Sequence, residues 1–78
     1  MNKNIYNFEI LRRNIMINMI EVVGISNGSF TDAVKSAVKK LVGDGHKVYW
    51  FEIVEQRGAV KGSDIEYQVK VKVAVESK

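Results

Sequence analysis

The chain carries few side chains of the types that act in catalysis, bind a metal or stack on a ligand. It has one tryptophan, Trp50, one histidine, His46, and no cysteine. A lone imidazole without thiolates does not build a structural zinc site, and His46 is interpreted as a surface residue in a glycine-rich loop. No convincing nucleophile, general acid or general base stands out, so no catalytic residue is predicted. Trp50 therefore marks either a subunit contact or a surface on which a flat ligand stacks.

Trp50 lies in a predicted strand, residues 47–57, that is followed by a second predicted strand, residues 65–76. The connecting sequence GAVKGSD is typical of a hairpin. Alternation in the second strand places Gln68 on its polar side. In the first strand, alternation places Tyr49, Phe51 and Ile53 on one side of the sheet. The other side then carries Trp50, Glu52, Val54 and Gln56.

One amphipathic helix is predicted between these strands and an earlier apolar segment. Ser29 and Asp32 have the spacing of a capping box, and apolar residues then recur at helical intervals until Gly43 and Gly45. Residues 16–23, MINMIEVV, show little polar alternation, which suits a short strand covered on both faces but could also be part of a helix. The order is strand, helix, strand, strand, an α+β arrangement with a three-stranded sheet.

One helix covers one face of such a sheet, which decides where the candidate residues point. The Tyr49 side of the first strand and the Tyr67 side of the second are expected to face the helix. Trp50 and Gln68 are then expected to project together from the uncovered face. An apolar patch on an uncovered face implies a subunit contact or a ligand.

Composition narrows the class of protein. Seventy-eight residues make one small domain, and without disulfides or a structural metal its stability is expected to come from oligomerisation. A formal net charge of +3 is too weak to argue for nucleic acid. Neither a signal peptide nor a membrane span is predicted, which favours the cytoplasm. Residues 1–15 are an extension of unknown role, which could be a further element, a disordered arm, or sequence upstream of an internal start.

Four segments together resemble the dodecin family of small flavin-binding proteins. They are IEVVGIS at 20–26, SF at 29–30 where the helix opens, WFEIVEQRG at 50–58, and YQVKVKVAV at 67–75. The third is the most specific of these segments. The resemblance covers about residues 16–76, and it predicts a single dodecin-like domain over residues 16–78.

The resemblance implies a β-α-β-β subunit whose three-stranded antiparallel sheet wraps around the helix and which assembles into a hollow dodecamer. It implies flavins, either FMN or riboflavin, stacked in pairs at subunit interfaces between Trp50 side chains. Gln68 would hydrogen-bond the isoalloxazine edge, Arg57 would approach the phosphate or the ribityl chain, and Glu55 is a weaker candidate in the same region. The family's usual G-F-R ending is replaced here by residues 74–76, AVE, which leaves the choice between FMN and riboflavin open.

The predicted function is non-catalytic storage and buffering of flavin, which is sequestered and quenched against Trp50. An enzyme is disfavoured, because a ring packed between aromatic planes leaves little room for a substrate. Two alternatives without flavin remain: a structural oligomeric shell, and a small basic nucleic-acid-binding module that uses Trp50 to stack bases. The second is disfavoured because Trp50 is the only aromatic residue predicted on the polar face.

Overall fold

A computed structural model describes residues 15–77, so the predicted extension lies outside the described residues except for Ile15. Its elements are β1 (Ile17–Ser26), α1 (Phe30–Gly43), β2 (Val48–Lys61) and β3 (Asp64–Glu76). The strands form one sheet in the order β1-β3-β2, and both pairings are antiparallel. The predicted β-α-β-β order and three-stranded antiparallel sheet are confirmed.

The core lies between α1 and the central strand. From β3, Val69, Val71 and Val73 are completely buried, because this strand has a neighbour on each edge and the helix over one face. The helix contributes the apolar stripe that its sequence period predicts, namely Ala33, Val34, Ala37 and Leu41. The alternation in the sequence therefore predicted correctly which β3 side chains face the helix.

Both ends of α1 form as the sequence indicates. The Ser29 side chain accepts a hydrogen bond from the Asp32 backbone N–H at 3.0 Å, which satisfies one of the free amides of the first turn. At the other end, Gly45 adopts φ +96° and its N–H donates to Val42. That left-handed conformation favours glycine, so Gly45 ends the helix at low cost.

Gly24 sets how closely the helix approaches the sheet. A Cβ atom at this position would lie 2.0 Å from the carbonyl oxygen of Ala33 and 3.0 Å from the Ala37 side chain. The backbones of β1 and α1 thus pack directly on each other, which only a residue without a side chain allows. The predicted break at residues 24–28 is wrong in detail, because β1 continues through Ser26.

The β2-β3 hairpin is longer and tighter than predicted. Strand β2 continues through residues 58–61, which the sequence had placed in the connection. Lys61 pairs with Asp64, leaving a two-residue turn in which Gly62 has φ +64°. A positive φ in a two-residue turn matches the right-handed twist of the flanking strands.

Two irregularities in β2 correct its predicted faces. The register against β3 shifts between Val48 and Trp50 and again between Ile53 and Glu55, so each shift inserts one extra residue. After the second shift Gln56 pairs with Val69 on the helix side, and its predicted place on the Trp50 face is wrong. The same shift moves the next odd-numbered residues, 55 and 57, onto the Trp50 face.

Coverage of the sheet by α1 is partial. The helix packs mainly on β1 and β3, and it reaches β2 less. Phe51 and Ile53 do face the helix side, as predicted, yet they remain 44% and 49% exposed. Strand β1 was expected to be covered on both faces, but its side chains opposite the helix are also exposed, at 45% for Met19 and 55% for Val23.

Candidate functional site

The sheet face turned away from α1, called here the outer face, carries all four predicted site residues. Residues paired across antiparallel strands point to the same side of the sheet, so the register defines rows of three side chains in the order β1, β3, β2. From the hairpin end these rows are Ile25–Gln68–Arg57, Val23–Lys70–Glu55, Glu21–Lys72–Glu52 and Met19–Ala74–Trp50.

The Gln68 row forms a directed hydrogen-bond chain. The Arg57 Nε–H donates to the Gln68 Oε1 at 2.7 Å, and the Gln68 Nε2–H donates to Glu66 at 2.9 Å. These bonds use one acceptor position and one donor of the amide, so one of each remains on a side chain that Arg57 and Glu66 hold in a fixed orientation. A donor next to an acceptor can match the alternating polar edge of a heterocycle.

Ion pairs flank this chain without adding much stability. Lys70 lies 3.8 Å from Glu55, and Lys61 lies 3.7 Å from Glu66. Each lysine is well exposed, and such surface pairs contribute about 0–1 kcal/mol. With Asp64, which pairs with Lys61 in the register, three carboxylates face the three cations Arg57, Lys61 and Lys70 at this end of the outer face.

A small polar cleft of about 80 Å³ opens beside Gln68, lined by Val23, Glu55, Arg57, Gln68 and Lys70. It has room for several water molecules. A larger open cleft of about 450 Å³ lies on the helix side of the hairpin and contains none of the predicted site residues. Of the two clefts, only the smaller one is lined by predicted site residues, and Trp50 lines neither.

The Trp50 row is apolar. Ala74, in the middle, is completely buried, while Trp50 on one side is half-buried and Met19 on the other is 45% exposed. The surface that this row offers to a flat ring is therefore that of the two large side chains, Met19 and Trp50. Offset stacking of aromatic rings contributes about 0.5–1.5 kcal/mol beyond burial of area.

A carboxylate lies next to this apolar row. Glu76, two residues beyond Ala74, accepts a hydrogen bond from the Tyr49 hydroxyl at 2.7 Å and has the Lys47 ammonium at 3.9 Å. Tyr49 is the extra residue of the first β2 irregularity, so simple alternation does not determine on which side of the sheet its ring lies. Sequence reasoning assigned neither Tyr49 nor Glu76 to the site, and no local motif indicates the contact.

Trp50 and Gln68 share the outer face, as predicted, but they are far apart. Trp50 pairs with Ala74, which is six residues from Gln68 along β3. At about 3.4 Å per residue the two rows are about 20 Å apart, more than the length of a flavin ring system. The structure brings Arg57 and Glu55 close to Gln68 and places none of these three beside Trp50.

Comparison with known proteins decides the family. Residues 16–77 match the family model described as Dodecin. The chain belongs to the dodecin family. No match was found among curated protein sequences.

Solved dodecins share the fold along nearly all of their length. The Streptomyces coelicolor dodecin is 29% identical with a TM-score of 0.77, and the alignment covers 83% of this chain and 94% of that chain. The Streptomyces davaonensis dodecin is 27% identical with a TM-score of 0.77, covering 83% and 97%. The Mycobacterium tuberculosis calcium dodecin, described as having a calcium-binding site, is 23% identical with a TM-score of 0.75, covering 81% and 91%, and this likeness shows the fold alone.

Family membership supplies the coarse function, because dodecins are small flavin-binding proteins that assemble into oligomers. Two searches of the described residues add facts about other kinds of site. Over residues 15–77, no helix is long and apolar enough to cross a membrane. In the same range, no group of three or more histidine or acidic side chains is arranged to hold a metal ion.

Proposed function

We propose that this dodecin binds flavin without catalysing a reaction and serves to store and buffer it. The observation that carries the proposal is the apolar row Met19–Ala74–Trp50 on a sheet face that the subunit's own helix does not cover. A flavin ring stacked on this row would cover apolar surface that a soluble protein rarely leaves bare. Location in the cytoplasm stays a prediction.

The residues present fit a flavin. Its isoalloxazine is a flat, redox-active and light-sensitive ring with an alternating polar edge. Trp50 offers the electron-rich plane that such a ring stacks on, and stacking would quench its photochemistry. Gln68, oriented by Arg57, offers one donor and one acceptor to the polar edge. Glu55 would act through its ion pair with Lys70 by fixing the charge beside the amide.

The separation of Trp50 and Gln68 supports a site shared between subunits. A single ring cannot reach both residues of one chain across about 20 Å, so a flavin that stacks on Trp50 must take the Gln68 amide from a neighbour. Symmetric assembly supplies such a neighbour at every site. This reasoning, together with the exposed apolar side chains at Met19 and Val23, supports an assembly of several subunits, for which the family resemblance implies a homododecamer.

The stacking role is tested by titrating riboflavin into ligand-free protein and following the flavin fluorescence. We expect strong quenching that Trp50→Phe largely retains and Trp50→Leu loses, because Phe keeps an aromatic plane while Leu keeps only apolar volume. Size-exclusion chromatography of both variants checks that assembly persists. Equal affinity in Trp50→Leu and the unchanged protein would refute the role of Trp50.

The shared site is tested by mixing two defective variants, Trp50→Leu and Gln68→Ala, unfolding them together and letting them reassemble. If each site combines Trp50 and Gln68 from different chains, roughly one site in four regains both residues by random assortment. If both residues of a site came from one chain, mixing would restore nothing. Reassembly of each variant alone is the matched control, and absence of any gain on mixing would contradict the shared site.

A further inference from the structure

An extra residue in β2 places Trp50 on the outer face. Val48 pairs with Val75 and packs, partly buried, against the core on the helix side. In a regular strand, residues two positions apart point to the same side of the sheet, so Trp50 would then pair with Val73 on the helix side. The extra residue, Tyr49, shifts the register by one position and turns Trp50 to the opposite face.

The neighbouring strand holds this extra residue through its side chain. The Tyr49 hydroxyl donates to the Glu76 Oε1 at 2.7 Å, and the Lys47 Nζ lies 3.9 Å from the same oxygen. The Lys47 ammonium also lies 5.5 Å from the centroid of the Tyr49 ring, within the range of a cation–π contact. The Glu76 backbone N–H donates to the Lys47 carbonyl at 2.9 Å, which pairs the two strands just before the irregularity. Glu76 is therefore the point of β3 to which the extra residue is tied.

Apolar burial by itself specifies this register weakly. Trp50 and Phe51 are both large and aromatic; Trp50 is half-buried, and Phe51 remains 44% exposed on the helix side. Loss of the extra residue would exchange the faces of these two rings and would again leave one aromatic ring on each side of the sheet. A directional contact is therefore needed to decide which of the two rings lies on the outer face.

From these contacts we propose that Tyr49 and Glu76 are positioning residues, whose hydrogen bond keeps the Trp50 indole on the outer face. The inference rests on the proposed flavin binding and deepens it, because it names the residues that present the stacking surface. All three residues belong to one hairpin, so this role does not depend on which subunit supplies the rest of the site. It is particular to this chain, because the arginine of the family's usual G-F-R ending has no acceptor for the Tyr49 hydroxyl.

The experiment follows Trp50 itself, which is the only tryptophan of the chain. Its emission maximum and its quenching by acrylamide are measured in the ligand-free protein, and the Kd of riboflavin is then measured by flavin fluorescence. Tyr49→Phe removes only the hydroxyl, and Glu76→Leu removes the carboxylate. We expect either change to shift the Trp50 emission and to weaken riboflavin binding by about threefold to tenfold, because a hydrogen bond to a carboxylate that is 36% exposed contributes less than a buried one.

Three further variants separate the hydrogen bond from other effects. Glu76→Gln keeps an oxygen that accepts from Tyr49, so its riboflavin affinity should stay within about twofold of that of the unchanged protein. The double variant Tyr49→Phe/Glu76→Leu should bind no more weakly than the weaker single variant, because both changes remove the same bond. Asn18→Ala is the matched control: it removes a 3.2 Å side-chain hydrogen bond to Ser77, just past the same end of β3 but from β1, and should change neither measurement. Far-UV circular dichroism checks that every variant is folded.

The outcomes separate the two proposals. Failure of riboflavin to bind the unchanged protein would overturn the proposed function, while the emission of ligand-free Trp50 would still decide whether Tyr49 and Glu76 position the indole. Unchanged riboflavin affinity in Tyr49→Phe would overturn the positioning role and leave the proposed function standing. A loss in Glu76→Gln equal to that in Glu76→Leu would assign the effect to the charge and not to the hydrogen bond, and this too would overturn the inference.

Discussion

Replacing Gly24 by alanine should loosen the helix from the sheet and thereby destabilise the whole subunit. The added Cβ would lie 2.0 Å from the Ala33 carbonyl oxygen and 2.9 Å from its carbon. Carbon and oxygen atoms normally come no closer than about 3.3 Å, so α1 would have to move away by roughly 1 Å. The obstructing atoms belong to the backbone, and no rotamer change can relieve the contact.

The expected cost follows from what the displacement disturbs. Ala33 and Ala37 pack against β1 beside completely buried β3 valines, so a shifted helix loses contacts along this interface. Overpacked cores are destabilised by about 1–3 kcal/mol, and a backbone clash belongs at the upper end, near 3 kcal/mol. Small domains have about 5–15 kcal/mol of stability in total, so the change should be a large fraction of it.

Urea unfolding followed by far-UV circular dichroism measures this cost, with all variants at the same protein concentration because assembly contributes to apparent stability. Gly43→Ala is the matched control. A Cβ on Gly43 meets no atom within 4 Å, and alanine in a helix is favoured over glycine by up to about 1 kcal/mol. If Gly24→Ala lay within about 0.5 kcal/mol of Gly43→Ala, the close packing of α1 on Gly24 would be refuted.

Two further predictions follow from single hydrogen bonds. Ser29→Ala should lower the free energy of unfolding in urea by about 1 kcal/mol, because the Asp32 amide loses its capping partner, and Ser29→Asp should restore most of it. Arg57→Lys should weaken riboflavin binding by about threefold to tenfold in fluorescence titrations, because it removes the Nε that orients Gln68; the net loss of one such bond is about 1 kcal/mol. Unchanged riboflavin affinity in Arg57→Lys would mean that the hydrogen bond from Arg57 is not needed to orient Gln68.

Local patterns in the sequence were enough to predict the helix, its serine cap and the central strand. Each depends on residues close in the chain: Ser29 and Asp32 form one turn, and the β3 valines recur at the period of a strand. The extra residues in β2 could not be predicted in this way, because an irregularity is defined by the partner strand. Simple alternation therefore placed Gln56 on the wrong face.

The same irregularity explains why the site residues could be predicted only through the family. Strict alternation along residues 50–57 would put Trp50 and Arg57 on opposite faces, since seven positions separate them. The extra residue between Ile53 and Glu55 reverses the parity and brings Arg57 next to Gln68, where its Nε donates at 2.7 Å. The WFEIVEQRG segment predicted the composition of the site, but only the register predicts which of its side chains meet.

The register also gives one sheet face two chemically different ends. The Trp50 end is apolar, while the Gln68 end is polar and carries charged side chains of both signs, with about 20 Å between them. One chain therefore holds Trp50 and Gln68 too far apart for a single ring to contact both. Under the proposed function, flavin affinity should depend on assembly, because an isolated subunit offers a flavin only one half of the interactions at a time. Dilution that dissociates the oligomer should release the ligand together with the subunits, and flavin retained by separated monomers would contradict a site shared between chains.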